Sequence, residues 1–242
     1  LTDVSRGGLA FALDVADVES ARRAVDAVGD SVDMLKVGLE LFVEGGPSSV
    51  RLGERVNRPV FLDLKLHDIP ETVDRAVARA SALGARLLTV HASGGGAMLE
   101  RAVARASKEG AGLVIVAVTV LTSLDQADLG QSGVPGTVEE QVLRLGRLAW
   151  SSGVRAFVSS AREVKRLRSE LGREAILLTP GIRPSAGAGG DDQKRVATAS
   201  DAIRDGATWL VVGRPIRDAK DPRGAAALLN AEIARARALL PS

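Results

Sequence analysis

Eight short apolar runs alternate with eight stretches of helical spacing, and few architectures accept that pattern. The runs are "LAFALD" (9–14), "DMLKVG" (33–38), "VFLDLK" (60–65), "RLLTVH" (86–91), "GLVIVAV" (112–118), "VRAFVS" (154–159), "AILLTP" (175–180) and "TWLVVG" (208–213). Their near-continuous Val, Ile and Leu content suits parallel strands covered on both faces. Between and after them, apolar residues at helical spacing predict helices over 17–28, 39–55, 70–83, 96–108, 137–151, 161–171, 193–205 and 222–238. Strict alternation of strand and helix implies βαβ units, and eight of them close most economically into an α/β TIM (β/α)8 barrel.

The length of 242 residues matches one such barrel, and no composition shift or linker divides 1–242 into more than a single domain. No run of about 18 apolar residues is present, so no membrane partner is expected. The opening "LTDVSRGGLAFALD" enters a strand pattern without the order of a signal peptide, and the expected location is cytoplasmic. The absence of cysteine excludes disulfides and thiolate metal sites. A net charge of +2, with two Trp, four Phe and no Tyr, gives neither a basic tract nor a stacking platform, so no nucleic-acid partner is expected.

In a barrel of this kind the chemistry collects where the strands end. Asp14 ends the first strand, Lys36 lies in the second, Asp63 and Lys65 in the third, His91 ends the fourth, and the fifth runs into Thr119, Thr122 and Ser123. Asp63 and Lys65 are two apart and share a face of their strand. Lys36 on the neighbouring strand would extend an alternating row of ammonium and carboxylate groups. Asp68, beyond the strand end, reaches either the same mouth or a neighbouring subunit. A structural ion-pair network or a solvated strand face is the competing reading; against it, charges inside a barrel cost several kcal/mol each, at order of magnitude, unless paired. His67 is expected to point away from Asp63 and Lys65, in a support or interface role, and His91 to be a hydrogen-bonded neighbour of the site. Neither suggests a metal.

The seventh and eighth units carry a different signal. "TPGIRP" places Gly181 and Arg183 after the seventh strand, and "VVGRPI" places Gly213 and Arg214 after the eighth, where barrels commonly hold phosphate. The segment "SAGAGGDD" (185–192) reads either as a lid, with Arg183 and Gln193 near its hinges, or as a mobile surface loop.

These blocks together, from "ALD" through "LKVG", "FLDLKLHDIPETV", "VHASGG", "VTVLTS" and "TPGIRP" to "DQKRVATASDAIRDGATWLVVGRPI", resemble the orotidine 5′-phosphate decarboxylase family over nearly the whole chain. The Asp-x-Lys-x-x-Asp-Ile-Pro core is their most specific part. The resemblance implies a homodimeric barrel that converts orotidine 5′-phosphate to UMP and carbon dioxide with no metal and no cofactor. It implies Lys65 as the general acid that protonates C6, with Asp63 against the substrate carboxylate. Lys36 and Asp68 would complete the charged row, Asp68 and Thr72 reaching across the dimer into the partner's site. Asp14 and Lys36 would hold the ribose, and either Thr122 or Ser123 the pyrimidine edge. Arg183, Gln193, Gly213 and Arg214 would hold the phosphate, Gln193 also bridging toward the base.

Such a row suits the chemistry. Loss of carbon dioxide from an sp² carbon leaves a poorly delocalised carbanion, which a fixed ammonium stabilises and then protonates. Two alternatives stay open. One is a metal-dependent sugar-phosphate barrel with the same Asp-x-Lys-x-x-Asp core, such as a hexulose-phosphate synthase, and the other is a silent barrel that binds a nucleotide as a sensor.

Overall fold

The computed structural model describes residues 4–183 and 197–240. Eight parallel strands close into a barrel, each hydrogen-bonded to its neighbours in sequence and the last to the first. They are β1 (Gly8–Leu13), β2 (Met34–Gly38), β3 (Val60–Leu66), β4 (Leu87–His91), β5 (Val114–Val118), β6 (Ala156–Val158), β7 (Ile176–Thr179) and β8 (Trp209–Val212). The TIM-barrel expectation holds, each strand lying within its predicted run or one residue beyond it.

Side-chain alternation divides the buried residues into two layers. Ala10, Ala12, Met34, Phe61, Leu87 and Val116 belong to a cluster inside the barrel, together with Trp209. Leu9, Phe11, Leu35, Leu62, Leu88 and Ile115 belong to the layer between strands and helices. Both strand faces are therefore apolar, which is why the sequence shows runs instead of a polar alternation. At the strand N-termini the turn Val4–Arg6 plugs the barrel, and the buried Trp209 indole donates to the Val4 carbonyl at 2.7 Å.

The helices are α1 (Val18–Val28), α2 (Leu39–Gly45), α3 (Pro47–Val50), α4 (Leu52–Val56), α5 (Pro70–Ala82), α6 (Gly96–Glu109), α7 (Gln126–Gln131), α8 (Val138–Ser151), α9 (Ala161–Leu171), α10 (Ala199–Arg204), α11 (Arg214–Arg217) and α12 (Pro222–Ala238). Local chemistry sets their ends. Asp17 accepts from the Ser20 N–H at 2.7 Å to start α1, and Thr137 and Glu140 form a reciprocal capping box at α8. The helix expected over 39–55 is instead three short ones. Gly46 sits at φ +49°, outside helical geometry, and Pro47 can only begin a new helix.

The last predicted helix before β8 also changes. α10 starts at Ala199, capped by the Thr198 hydroxyl, while residues 197 and 198 pair with 182 and 183 in a two-residue parallel ladder. Positions 193–196 of that expectation lie outside the described residues, as does the proposed lid at 185–192. Within the long 122–137 connection, Asp125 and Asp128 build a capping box for α7, a helix not expected there. Among the described residues, no helix is long and apolar enough to cross a membrane.

Candidate active site

Following the inward-facing positions up each strand shows how the barrel builds its mouth. Ala12 leads to Asp14, Met34 to Lys36, Phe61 to Asp63 and Lys65, Leu87 to Thr89 and His91, and Val211 to Gly213. The apolar plug thus gives way to charge at the C-terminal ends. There a cleft of about 220 Å³ is lined by Asp14, Lys36, Asp63 and Lys65 on one side and by Gly181, Arg183, Gly213 and Arg214 on the other.

The charged side is one connected row. Lys36 Nζ lies 3.0 Å from Asp14 Oδ1 and 3.8 Å from Asp63 Oδ2, and Lys65 Nζ reaches both Asp63 oxygens at 2.9 Å. Asp63 is the most enclosed carboxylate of the row. Burial opposes its ionisation, but the Lys36 and Lys65 ammonium groups and hydrogen bonds from Lys65 and Thr89 outweigh it, holding the carboxyl below its ordinary range. The row found within one chain is Asp14, Lys36, Asp63 and Lys65; Asp68, expected to join it from across a dimer, is not part of it in its own chain.

The backbone around Lys65 is not that of a regular strand. From Leu62 to Leu66 β3 advances four residues while β4, from Leu88 to Val90, advances two. Within this bulge Lys65 adopts φ +53°, a left-handed conformation rare for a side chain of its size. Its N–H donates to the Thr89 hydroxyl at 2.8 Å, and that hydroxyl donates to Asp63 Oδ1 at 2.9 Å. Thr89 was not singled out in the sequence. Its signal was available, since it lies two positions before His91 and so on the same strand face.

On the opposite side, Gly181 turns the chain at φ +78° and Arg183 is held in the short ladder opposite Thr198. Gly213 permits a close approach. A Cβ there would stand 3.1 Å from Asp14 Oδ2 and 3.5 Å from Ala12 Cβ. Gly213 is also the N-cap of α11, which has no side-chain cap, so the helix start faces the cleft.

The remaining expected residues divide. Thr122 lines the cleft, whereas Ser123 is exposed and outside its lining. Asp68 and Thr72 are exposed and outside the cleft of their own chain; Asp68 accepts from the Ile69 N–H at 2.7 Å. Thr119 is buried and does not line the cleft. Gln193 lies outside the described residues. His67, just past the end of β3, is exposed with its ring 5.4 Å from that of His91. Burial, with His67 and Lys65 adding positive charge nearby, favours the neutral form of His91. Among the described residues no group of three or more His, Cys, Asp or Glu is arranged to hold a metal ion.

Comparison with known proteins gives consistent matches. A family model described as orotidine 5′-phosphate decarboxylase / HUMPS family matches residues 8–229. A protein named orotidine 5′-phosphate decarboxylase from Anaeromyxobacter sp. (strain K) is 51% identical over 222 residues, covering 92% of this chain and 96% of its own. One of the same name from Thermobifida fusca (strain YX) is 48% identical over 227 residues, covering 93% and 95%. The crystal structure of orotidine 5′-phosphate decarboxylase from Lactobacillus acidophilus matches with a TM-score of 0.82 at 33% identity, over 94% of this chain and 99% of that one.

Proposed function

Because the chain belongs to the orotidine 5′-phosphate decarboxylase / HUMPS family, we propose that it is the carboxy-lyase that converts orotidine 5′-phosphate to UMP and carbon dioxide in pyrimidine biosynthesis, as one domain and without a metal. The observation that carries this reading is the pairing of Lys65 with the enclosed Asp63, beside Lys36, across one cleft from Arg183, Gly213 and Arg214.

The phosphate sits against Gly213, Arg214 and Arg183, and Gln193, which lies outside the described residues, is a further proposed contact to it. The ribose hydroxyls meet Asp14 and Lys36, and the pyrimidine edge meets Thr122, which is favoured over Ser123 because only Thr122 lines the cleft. On this reading the substrate carboxylate lies at Asp63 and C6 at Lys65 Nζ. The bond from C6 to the carboxylate breaks, carbon dioxide leaves, and the electron pair remaining on C6 takes a proton from the Lys65 ammonium. The ammonium is already in place when charge develops, so no solvent need reorganise. Repulsion between Asp63 and the substrate carboxylate is relieved as carbon dioxide departs.

Asp68 and Thr72 act in the partner's site of a homodimer. Their exposure at the start of α5, beside the exposed Ile69, suits presentation to a second subunit. The phosphate grip supplies remote binding energy that organises the reacting end. Arg214→Ala is accordingly expected to raise KM and lower kcat/KM by about 10²-fold or more, the loss of a charge-assisted contact to phosphate. Unchanged efficiency in steady-state kinetics would remove Arg214 from the phosphate site. The function itself is tested by product analysis. Equimolar UMP and carbon dioxide are expected from orotidine 5′-phosphate, and intact substrate would overturn the reading.

A further inference from the structure

Thr89 occupies a place in the site that the charged row alone does not explain. It is fully buried, yet it is polar, and both hydrogen-bonding capacities of its hydroxyl used here are directed at the row. A backbone N–H can only donate, so the Thr89 oxygen accepts from Lys65 and its single proton is left for Asp63. The direction of the chain is therefore forced, from the Lys65 N–H through the Thr89 hydroxyl to the Asp63 carboxylate. We infer that Thr89 is a positioning residue that fixes the left-handed Lys65 backbone and the Asp63 carboxylate to each other, and so sets where the Lys65 ammonium stands. This rests on the decarboxylase reading for the reaction, though not for the geometry.

The bulge explains why such a device is needed. β3 carries two more residues than β4 between their matched positions, which takes the Lys65 N–H out of the regular ladder. A buried N–H without a partner is destabilising, and the left-handed conformation is itself unfavourable for a residue with a Cβ. The Thr89 hydroxyl answers the first and helps offset the second. On its other side it orients Asp63 so that both carboxylate oxygens face Lys65 Nζ at 2.9 Å. A β-branched side chain held at 0% exposure on a strand has little rotamer freedom, so the hydroxyl is a fixed reference point.

Valine matches threonine in shape and lacks the hydroxyl. Thr89→Val is expected to lower kcat by about ten- to a hundredfold while KM stays within about threefold, since the phosphate and ribose contacts lie elsewhere. Thr89→Ser is expected to restore kcat to within about threefold of the parent protein. The acid limb of kcat/KM should move to higher pH in Thr89→Val, because Asp63 loses a donor to its charged form. The ionisable groups around that carboxylate are Lys36 from β2, Lys65 from β3, His91 from β4 with His67 beside it, and Asp14 beyond β1. All are unchanged by the substitution.

A direct readout needs no turnover. In protein labelled with ¹³C at aspartate carboxyls, the Asp63 titration midpoint should rise in Thr89→Val and not in Thr89→Ser. An Asp63 midpoint that stays put, or a kcat loss equal in the valine and serine variants, overturns the role of the hydroxyl. If the parent protein does not turn over orotidine 5′-phosphate, the decarboxylase reading fails by itself and the Asp63 titration still decides the device. Should Thr89→Val not fold, Thr89→Cys, close in size to serine and a weak donor, is compared with Thr89→Ser in the same way.

Discussion

Lys65→Ala is expected to reduce kcat by about 10⁴-fold or more, because under the proposed mechanism it removes both the charge that stabilises the C6 carbanion and the proton that quenches it. UMP binding should remain measurable by calorimetry, since Arg183, Gly213 and Arg214 are untouched and UMP has no carboxylate to place against Asp63. The two readouts together separate a chemical role from a binding role. Turnover near that of the parent protein would remove Lys65 from the reaction.

The second large effect concerns a residue that lies outside the cleft of its own chain. Asp68 is exposed and bonded to the neighbouring Ile69 N–H, so Asp68→Ala should leave thermal stability nearly unchanged, within about 0.5 kcal/mol. If it completes the row in a partner's site, the same substitution should lower kcat by about 10²-fold or more. Mixing sharpens this. Subunits carrying Lys65→Ala and subunits carrying Asp68→Ala, dissociated and reassembled together, form heterodimers in which one site has both residues intact. Random pairing should then restore about a quarter of the parent activity. No recovery on mixing, with exchange verified, would place Asp68 in its own chain's site or outside catalysis.

The strands were legible because a parallel barrel buries both faces of each one, and the two-layer division of Phe11 and Ala12, or Phe61 and Leu62, leaves continuous apolar runs in the chain. Helix boundaries were less so. The 39–55 stretch keeps helical spacing while Gly46 and Pro47 cut it, and the capping box of α7 lies in a connection whose Gly, Ser and Asp content otherwise reads as loop. For the site, period 2 correctly placed Asp63 and Lys65 on one face, and strand ends correctly drew Asp14, Lys36, Gly213 and Arg214 to one mouth. Alternation does not encode the bulge. The left-handed Lys65 and the hydroxyl of Thr89 that meets it depend on the register between two strands, which distant residues set. Exposure of Asp68 and Thr72 was likewise invisible, because an exposed residue and a residue awaiting another subunit share the same polar pattern.

The most direct test of the account is the ultraviolet absorbance of orotidine 5′-phosphate after addition of the purified protein in excess EDTA. The charged row acting without a metal predicts complete conversion to UMP at a rate unaffected by the chelator. No conversion, together with activity on a sugar phosphate restored by magnesium, would contradict it and move the Asp63 and Lys65 pair to metal-assisted chemistry.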